Sequence, residues 1–126
     1  MTPHRVQSAY RGEVTYRLNG TFGTSGAVPV VPSINAGFRN DTPMSSSGSG
    51  VYVCFLERGV AAVISEPYIP VRQASYSVDG AVYGEVTVDN TGAAIPSITV
   101  TFRDADGTAV QPAAGDIFKI SIVVRR

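Results

Sequence analysis

The sequence has little charge and almost no cysteine. Charged side chains make up 16% of its 126 residues, whereas about a quarter is usual in globular domains. The 10 basic and 10 acidic residues cancel, so no excess of cations is available to neutralise a nucleic-acid backbone. We therefore expect no nucleic-acid partner. A surface so short of charge is better suited to lasting contact with another protein.

Signals for membranes and for secretion are also missing. The longest apolar runs, such as residues 60–64, are too short to span a bilayer, and no basic amphipathic helix is evident. The opening MTPHRVQSAYRGE lacks the apolar segment of a signal peptide. The single cysteine, Cys54, excludes a disulfide within the chain. We expect a protein that is made in a cytosol and has no membrane partner.

Helix-forming windows are absent, whereas strand patterns are frequent. The 13 glycines and 8 prolines interrupt every stretch of about a dozen residues that could show a helical period. Residues 13–18, 97–103 and 116–125 alternate between apolar and polar side chains, which predicts strands with one buried face. Residues 50–57, GVYVCFLE, form a nearly continuous apolar run, which favours a strand covered on both faces.

Turn residues separate these segments. The dipeptide Arg58-Gly59 predicts a hairpin between the apolar run and the strand that follows it. Asp79-Gly80 predicts a second hairpin between segments 74–78 and 81–88. Pro67 and Pro70 indicate an edge or a crossing loop rather than a central strand.

About eight short strands at regular spacing predict an all-β fold, a single-domain antiparallel β-sandwich over residues 1–126. We prefer a jelly roll to an immunoglobulin-like sandwich, since tryptophan and a second cysteine are lacking. Residues 1–12 are predicted to be an N-terminal arm, and the Ser/Gly-rich residues 35–50 a long flexible loop. The apolar final strand should lie inside a sheet, paired with a strand near the N-terminus, because an exposed edge of this kind would promote aggregation.

Residues that could carry chemistry are few. His4, the single histidine, lies near a terminus, where a catalytic base is poorly held. Cys54 lies within an apolar strand, which favours a buried thiol over a reactive one. One cysteine and one histidine do not predict a zinc site. We expect no enzyme, no cofactor and no metal centre.

Acidic residues leave two alternatives open. Asp104 and Asp106, followed by Gly107, begin like a calcium loop, but the glutamate and helices of such a loop are missing; a hairpin turn is the simpler interpretation. A glycosidase would need two carboxyl groups facing each other across a cleft. The carboxylates on strands or at strand ends are Glu57, Glu66 and Glu85.

The aromatic residues divide into two groups. Tyr52, Phe55, Phe102 and Phe118 lie within apolar strands and are predicted to form core. Aromatic and arginine side chains near turns are candidates for contact with a partner, since Tyr and Arg are enriched at interface hot spots; packing on their own strand neighbours is the alternative. The candidate interface residues are Tyr10, Arg11, Phe38, Arg39, Tyr68, Arg72, Tyr76, Tyr83 and Arg125.

Three stretches carry a resemblance to a known class of protein. The segment YRGEVTYRLNG, the Ser/Gly loop and the ending ITVTFRDADGTAVQPAAGDIFKISIVVRR resemble small virion proteins of tailed bacteriophages, in particular the jelly-roll cement or decoration proteins that coat the capsid. The resemblance implies a homo-oligomer, dimer or trimer, that binds the major capsid protein on the capsid surface. It also implies synthesis in the bacterial host cytoplasm and no catalytic residue.

A second class of function stays open, the trimeric receptor- or glycan-binding head of a phage tail fibre. Such heads normally end a longer chain with a trimerising shaft, whereas this sequence starts at Met1 without one. A small sugar-processing enzyme is a third hypothesis, and it depends on two glutamates converging.

Overall fold

The computed structural model describes residues 12–23, 31–39, 43–57, 59–65, 68–90 and 96–126. Within these ranges the chain forms strands and turns. They contain no helix long and apolar enough to cross a membrane. Residues 1–11, most of the predicted N-terminal arm, lie outside the described part of the chain.

The described residues form nine strands. They are β1 (Glu13–Thr21), β2 (Val31–Ala36), β3 (Met44–Gly48), β4 (Val51–Phe55), β5 (Ala62–Val63), β6 (Tyr68–Arg72), β7 (Tyr83–Asp89), β8 (Ser97–Arg103) and β9 (Ile117–Arg125). Eight of them follow one another in the order β2-β1-β9-β6-β7-β8-β4-β3, and β5 pairs with β9 beside this path. The sheet is antiparallel and curls strongly into a half-barrel, so the predicted all-β class is confirmed.

Strand β6 changes partner along its length. Its first part pairs with β7, through Tyr68↔Glu85 and Pro70↔Tyr83. Its last residues, Val71 and Arg72, pair with β9 instead. Pro67 and Pro70 predict an edge or a crossing loop rather than a central strand, and this prediction is wrong: β6 is a strand inside the sheet, between β9 and β7. It connects the half formed by β2, β1 and β9 to the half formed by β7, β8, β4 and β3.

The C-terminal strand β9 lies in the interior of the sheet, as predicted. One side pairs with β1 along its full length, from Glu13↔Arg125 to Thr21↔Ile117. The other side pairs with β5 and β6. Because both sides are occupied, the apolar strand does not form an exposed edge.

The inward faces of the two halves meet in one core. Alternation along β9 buries Phe118, Ile120, Ile122 and Val124, and β8 buries every second residue in the same way. An aromatic cluster with ring centroids 5.2 to 6.3 Å apart joins the halves. Its members are Phe22, Tyr52, Phe102 and Phe118. The prediction that Phe55 belongs to the core is only partly met, since its side chain is half-buried.

Several predicted pairings differ from those observed. The strand after Gly59 pairs with β9 and not with β4, through Ala62↔Arg125. The hairpin expected at Asp79-Gly80 is wider than predicted: β6 and β7 form it, and residues 73–82 connect them. These are corrections of register and partner, which depend on long-range contacts rather than on the turn residues alone.

Residues 35–50 are not one continuous loop. β3 (Met44–Gly48) lies within this range and pairs with β4 through Met44↔Cys54. β4 has one fully buried face and one half-buried face, rather than two covered faces. The jelly roll is not confirmed, because β6, β7 and β8 follow each other as neighbours in a meander, whereas a jelly roll consists of two Greek keys.

The residues after β2 are hydrogen-bonded to the residues after β4, which joins two strands that are far apart in the sheet order. Phe38 forms a bridge with Leu56, and the amide of Glu57 donates to the carbonyl of Gly37 over 2.9 Å. Gly37 has a φ of 101°, and a Cβ there would lie 2.2 Å from the Tyr16 ring. Only glycine fits this approach of backbone to ring.

Truncation of the central strand should strongly destabilise the domain. Phe118→Ala removes a buried ring from the aromatic cluster, and we expect a loss of about 3–5 kcal/mol in the free energy of unfolding. Ile120→Asp, which places a charge in the core, should prevent folding. Urea unfolding monitored by tyrosine fluorescence measures both. Ser121→Ala on the outer face is the control, and equal stability of Phe118→Ala and this control would contradict the inward placement.

Gly37→Ala should destabilise the domain by about 2 kcal/mol or more, because the new Cβ overlaps the Tyr16 ring and the backbone favours glycine. The matched control is Gly48→Ala, where a Cβ would meet only Val51, at 3.9 Å. Thermal unfolding of the two variants compares them directly. Similar melting temperatures would show that the corner at Gly37 is not tightly packed.

Candidate functional site

Exposed hydrophobic side chains concentrate on one part of the molecule. The described residues expose seven large hydrophobic side chains, and four of them lie on β6 or on residues 73–82. A fifth, Ile117 on β9, pairs with Arg72 of β6. The most exposed are Tyr76 at 84%, Tyr68 at 72% and Val78 at 67%. Scattered exposed hydrophobics are normal, whereas a concentration of this kind is typical of an interaction site. We call the unit from Tyr68 to Asp89 the aromatic hairpin.

The outer face of the aromatic hairpin carries a pair of tyrosines. The alternation of β6 buries Ile69 and turns Tyr68 and Pro70 outward. Tyr83 lies opposite Pro70 on β7, and its ring meets that of Tyr68 edge to face, with centroids 5.4 Å apart. Such a pair presents a large, rigid apolar area with polar hydroxyls, which is the usual composition of an interface anchor.

The connection of residues 73–82 is held in shape by the side chain of Gln73. Its Nε2 donates to the carbonyls of Ser77 and Ala81, over 3.1 and 3.0 Å. Its Oε1 accepts from the amide of Ser77 over 2.8 Å. One side chain thus joins the start, middle and end of the connection, as in a compact Ω-loop.

The base of this loop is anchored by a buried carboxylate. Asp116 is 2% exposed, and its two oxygens accept from the amides of Ala74 and Ala113, each over 3.0 Å. At the other end, the amide of Val82 donates to the carbonyl of Arg103 over 2.9 Å. The exposed side chains of the loop are therefore presented by a backbone with defined hydrogen bonds.

The structure brings together only some of the predicted interface residues. Tyr68, Arg72, Tyr76 and Tyr83 all belong to the aromatic hairpin or its loop. Phe38 does not, since it is fully buried in the core, which corrects its prediction as a contact residue. Tyr10 and Arg11 lie outside the described residues.

The two remaining arginine candidates have local partners. Arg39 lies over the ring of Phe55, 5.6 Å from the centroid, in the corner between β2 and β4. Arg125 lies 3.5 Å from Glu13 on β1. Neither belongs to the aromatic hairpin.

The candidate chemical groups take structural positions where the structure describes them. Burial raises the pKa of the Cys54 thiol to about 12, so the thiol stays protonated, as its apolar strand predicted. The Asp104 carboxylate accepts from the amides of Asp106 and Thr108, both over 2.9 Å. This bonding confirms the turn, in which Gly107 has a φ of 87°.

The acidic residues form no metal site within the described residues, and of the three glutamates considered for a glycosidase the structure describes two. The described ranges contain no group of three or more His, Cys, Asp or Glu side chains that could hold a metal ion. Glu85 lies on the outer face of β7, 3.0 Å from the Arg103 guanidinium, and Glu57 is exposed. His4 and Glu66 lie outside the described residues.

Sequence reasoning missed several residues of this surface. Gln73 carries no signal in the sequence, because its three hydrogen bonds to Ser77 and Ala81 form only when the loop is closed. The alternation of β9 predicts that Ile117 and Lys119 face outward. The sequence does not predict that they lie beside β6. Val78 lies in a segment that was predicted to be a strand.

No family model, no curated protein and no solved structure matches this chain. Its function is therefore inferred from the surface of this all-β domain.

The buried thiol gives a direct test of the interior. In the native protein Cys54 should react with a disulfide reagent at least about a hundredfold more slowly than in urea-unfolded protein, since both access and thiolate formation are suppressed. The measurement is absorbance at mildly alkaline pH, with unfolded protein as the reference. Equal rates would show that Cys54 is exposed.

Proposed function

We propose that the chain is a structural protein of a tailed-phage virion, a cement or decoration protein that binds the outer surface of the head and stabilises it. The observation that carries this proposal is the aromatic hairpin, an exposed apolar surface on a rigid β-scaffold. In this proposal the partners are the major capsid protein and further copies of the chain, as a dimer or trimer. The curled sheet would then be a variant of the jelly roll, with β1 and β9 paired within one of its halves.

The physical demands of the role support the proposal. A protein that binds the assembled shell more tightly than the dissociated subunits stabilises the shell by mass action. Adhesion of this kind needs anchors that lose little freedom on binding, and a loop already fixed by Gln73 and Asp116 meets that need. The low charge of the chain fits a surface that is covered permanently.

The alternative is a trimeric receptor- or glycan-binding head of a phage tail fibre. Its support is also the exposure of Tyr68 and Tyr76, because tyrosine rings offer an apolar face with a polar edge to a ligand. The two functions differ in partner, so capsid binding and glycan binding separate them.

Capsid binding is tested with heads from the phage whose genome encodes this chain. Purified heads that lack the protein are mixed with it, sedimented and examined by negative-stain microscopy. We expect the protein to cosediment at a fixed ratio and to raise the temperature at which heads disrupt. Tyr68→Ser combined with Tyr76→Ser should weaken binding about tenfold or more, since each truncated anchor typically costs over 1 kcal/mol.

The matched control is Ile34→Ser, which removes a side chain that is 46% exposed on β2, outside the aromatic hairpin. Both variants change exposed residues, so the melting temperature should stay near that of the parent. Failure of the parent protein to decorate heads would remove the proposal. Binding to a glycan array without binding to heads would favour the tail-fibre alternative.

A further inference from the structure

A groove lies beside the aromatic hairpin, on the outer side of the junction between β6 and β9. It encloses about 420 Å³, a volume within the range of small ligand-binding clefts. Its lining residues are Pro70, Val71, Arg72, Ile117 and Lys119. Only Arg72 among them was predicted to be a contact residue.

The change of partner along β6 explains why the groove opens there. Val71 and Arg72 are held beside β9, opposite Phe118 and Ile117, whereas Pro70 already pairs with β7. Strands β6 and β9 therefore diverge from Arg72 towards Pro70. Alternation turns Ile117 and Lys119 outward, so an apolar side chain and a cationic one face the gap.

The charged side chains that the structure describes in the groove are both cationic. Arg72 and Lys119 both line it, and none of its described lining residues is acidic. By contrast, Arg103 forms an ion pair with Glu85 at 3.0 Å, and Arg125 forms one with Glu13 at 3.5 Å. Within the part of the chain that the structure describes, neither Arg72 nor Lys119 forms an ion pair. Two neighbouring cations without an acidic partner create a local positive potential that attracts an anionic group.

We propose that this groove binds an acidic, extended polypeptide segment of the protein partner, with carboxylates at Arg72 and Lys119 and an apolar side chain against Pro70 and Ile117. This inference rests on the proposed function only in taking the partner to be a protein, and it adds the chemistry of the contact. Two cations are too few to follow a nucleic-acid backbone. The apolar floor between them matches a side chain flanked by carboxylates better than it matches an anion alone.

The groove is tested without capsids, by NMR titration of the isotope-labelled full chain. The probe is a short capped peptide with one leucine between two acidic residues, and its counterpart has lysines in their place. We expect the acidic peptide to shift the amides of Val71, Arg72, Ile117 and Lys119, and the shifts to fade at high salt. The lysine peptide should leave these amides unchanged.

Charge reversal locates the contact. Arg72→Glu combined with Lys119→Glu should weaken binding of the acidic peptide roughly tenfold, as expected for two exposed ion pairs turned into repulsions. The control is Arg126→Glu, which changes the charge by the same amount as either reversal alone, at an exposed position at the end of the chain. This control should not weaken binding of the acidic peptide. Arg72→Gln with Lys119→Gln replaces the reversed variant if that variant does not fold.

Three results would overturn the inference. They are shifts confined to other amides, an equal response to the lysine peptide, and equal weakening by Arg126→Glu. A carboxylated sugar that shifts the groove amides when the acidic peptide does not would assign the groove to glycans instead. Because the titration contains no phage component, its failure is independent of the capsid experiment.

Discussion

The position of β9 determines the rest of this structure. It pairs with β1 along its full length on one side and with β5 and β6 on the other. Its inward side chains fill the core, where Phe118 joins the aromatic cluster and lies 6.3 Å, between ring centroids, from Phe102 of the opposite half. Because β6 is attached to β9 through Val71↔Phe118, the aromatic hairpin and its groove also take their place from this strand. Asp116, one residue before β9, fixes the base of the loop.

The surface combines exposure with order. A loop that exposes Tyr76 and Val78 would normally sample many conformations and lose entropy on binding. Here Gln73, within the loop, and Asp116, beside it, form hydrogen bonds to backbone groups of the loop, so the exposed side chains start from a defined backbone. The low overall charge leaves little long-range steering, so in the proposed function specificity would depend on local features: the tyrosine pair and the two cations of the groove.

Sequence reasoning predicted the fold better than it predicted the site. Period-two alternation identified β1, β8 and β9 and the faces they bury, because alternation is a local consequence of strand geometry. Alternation does not identify which strands pair. The predicted hairpin between β4 and β5 is therefore wrong, as is the continuous loop predicted over residues 35–50, which contains β3. Among the aromatic candidates, Phe38 and Tyr68 look alike in sequence, yet one is fully buried and the other is 72% exposed. Their difference arises from the corner that closes over Tyr16 and from the outward face of β6.

The sequence by itself determined an all-β domain with an interior C-terminal strand, a buried unreactive cysteine and an Asp-Gly turn after β8. Each of these follows from residues close together in the chain: apolar spacing, β-propensity and turn chemistry. Only the tertiary structure decided that β6 exchanges partners, that Gln73 closes a loop and that Arg72 and Lys119 share a groove. β6 and β9, like Arg72 and Lys119, are far apart in the chain, and their proximity depends on how the whole sheet curls around its core. Gln73 bonds to residues only four and eight positions away, but these bonds require the folded shape of the loop.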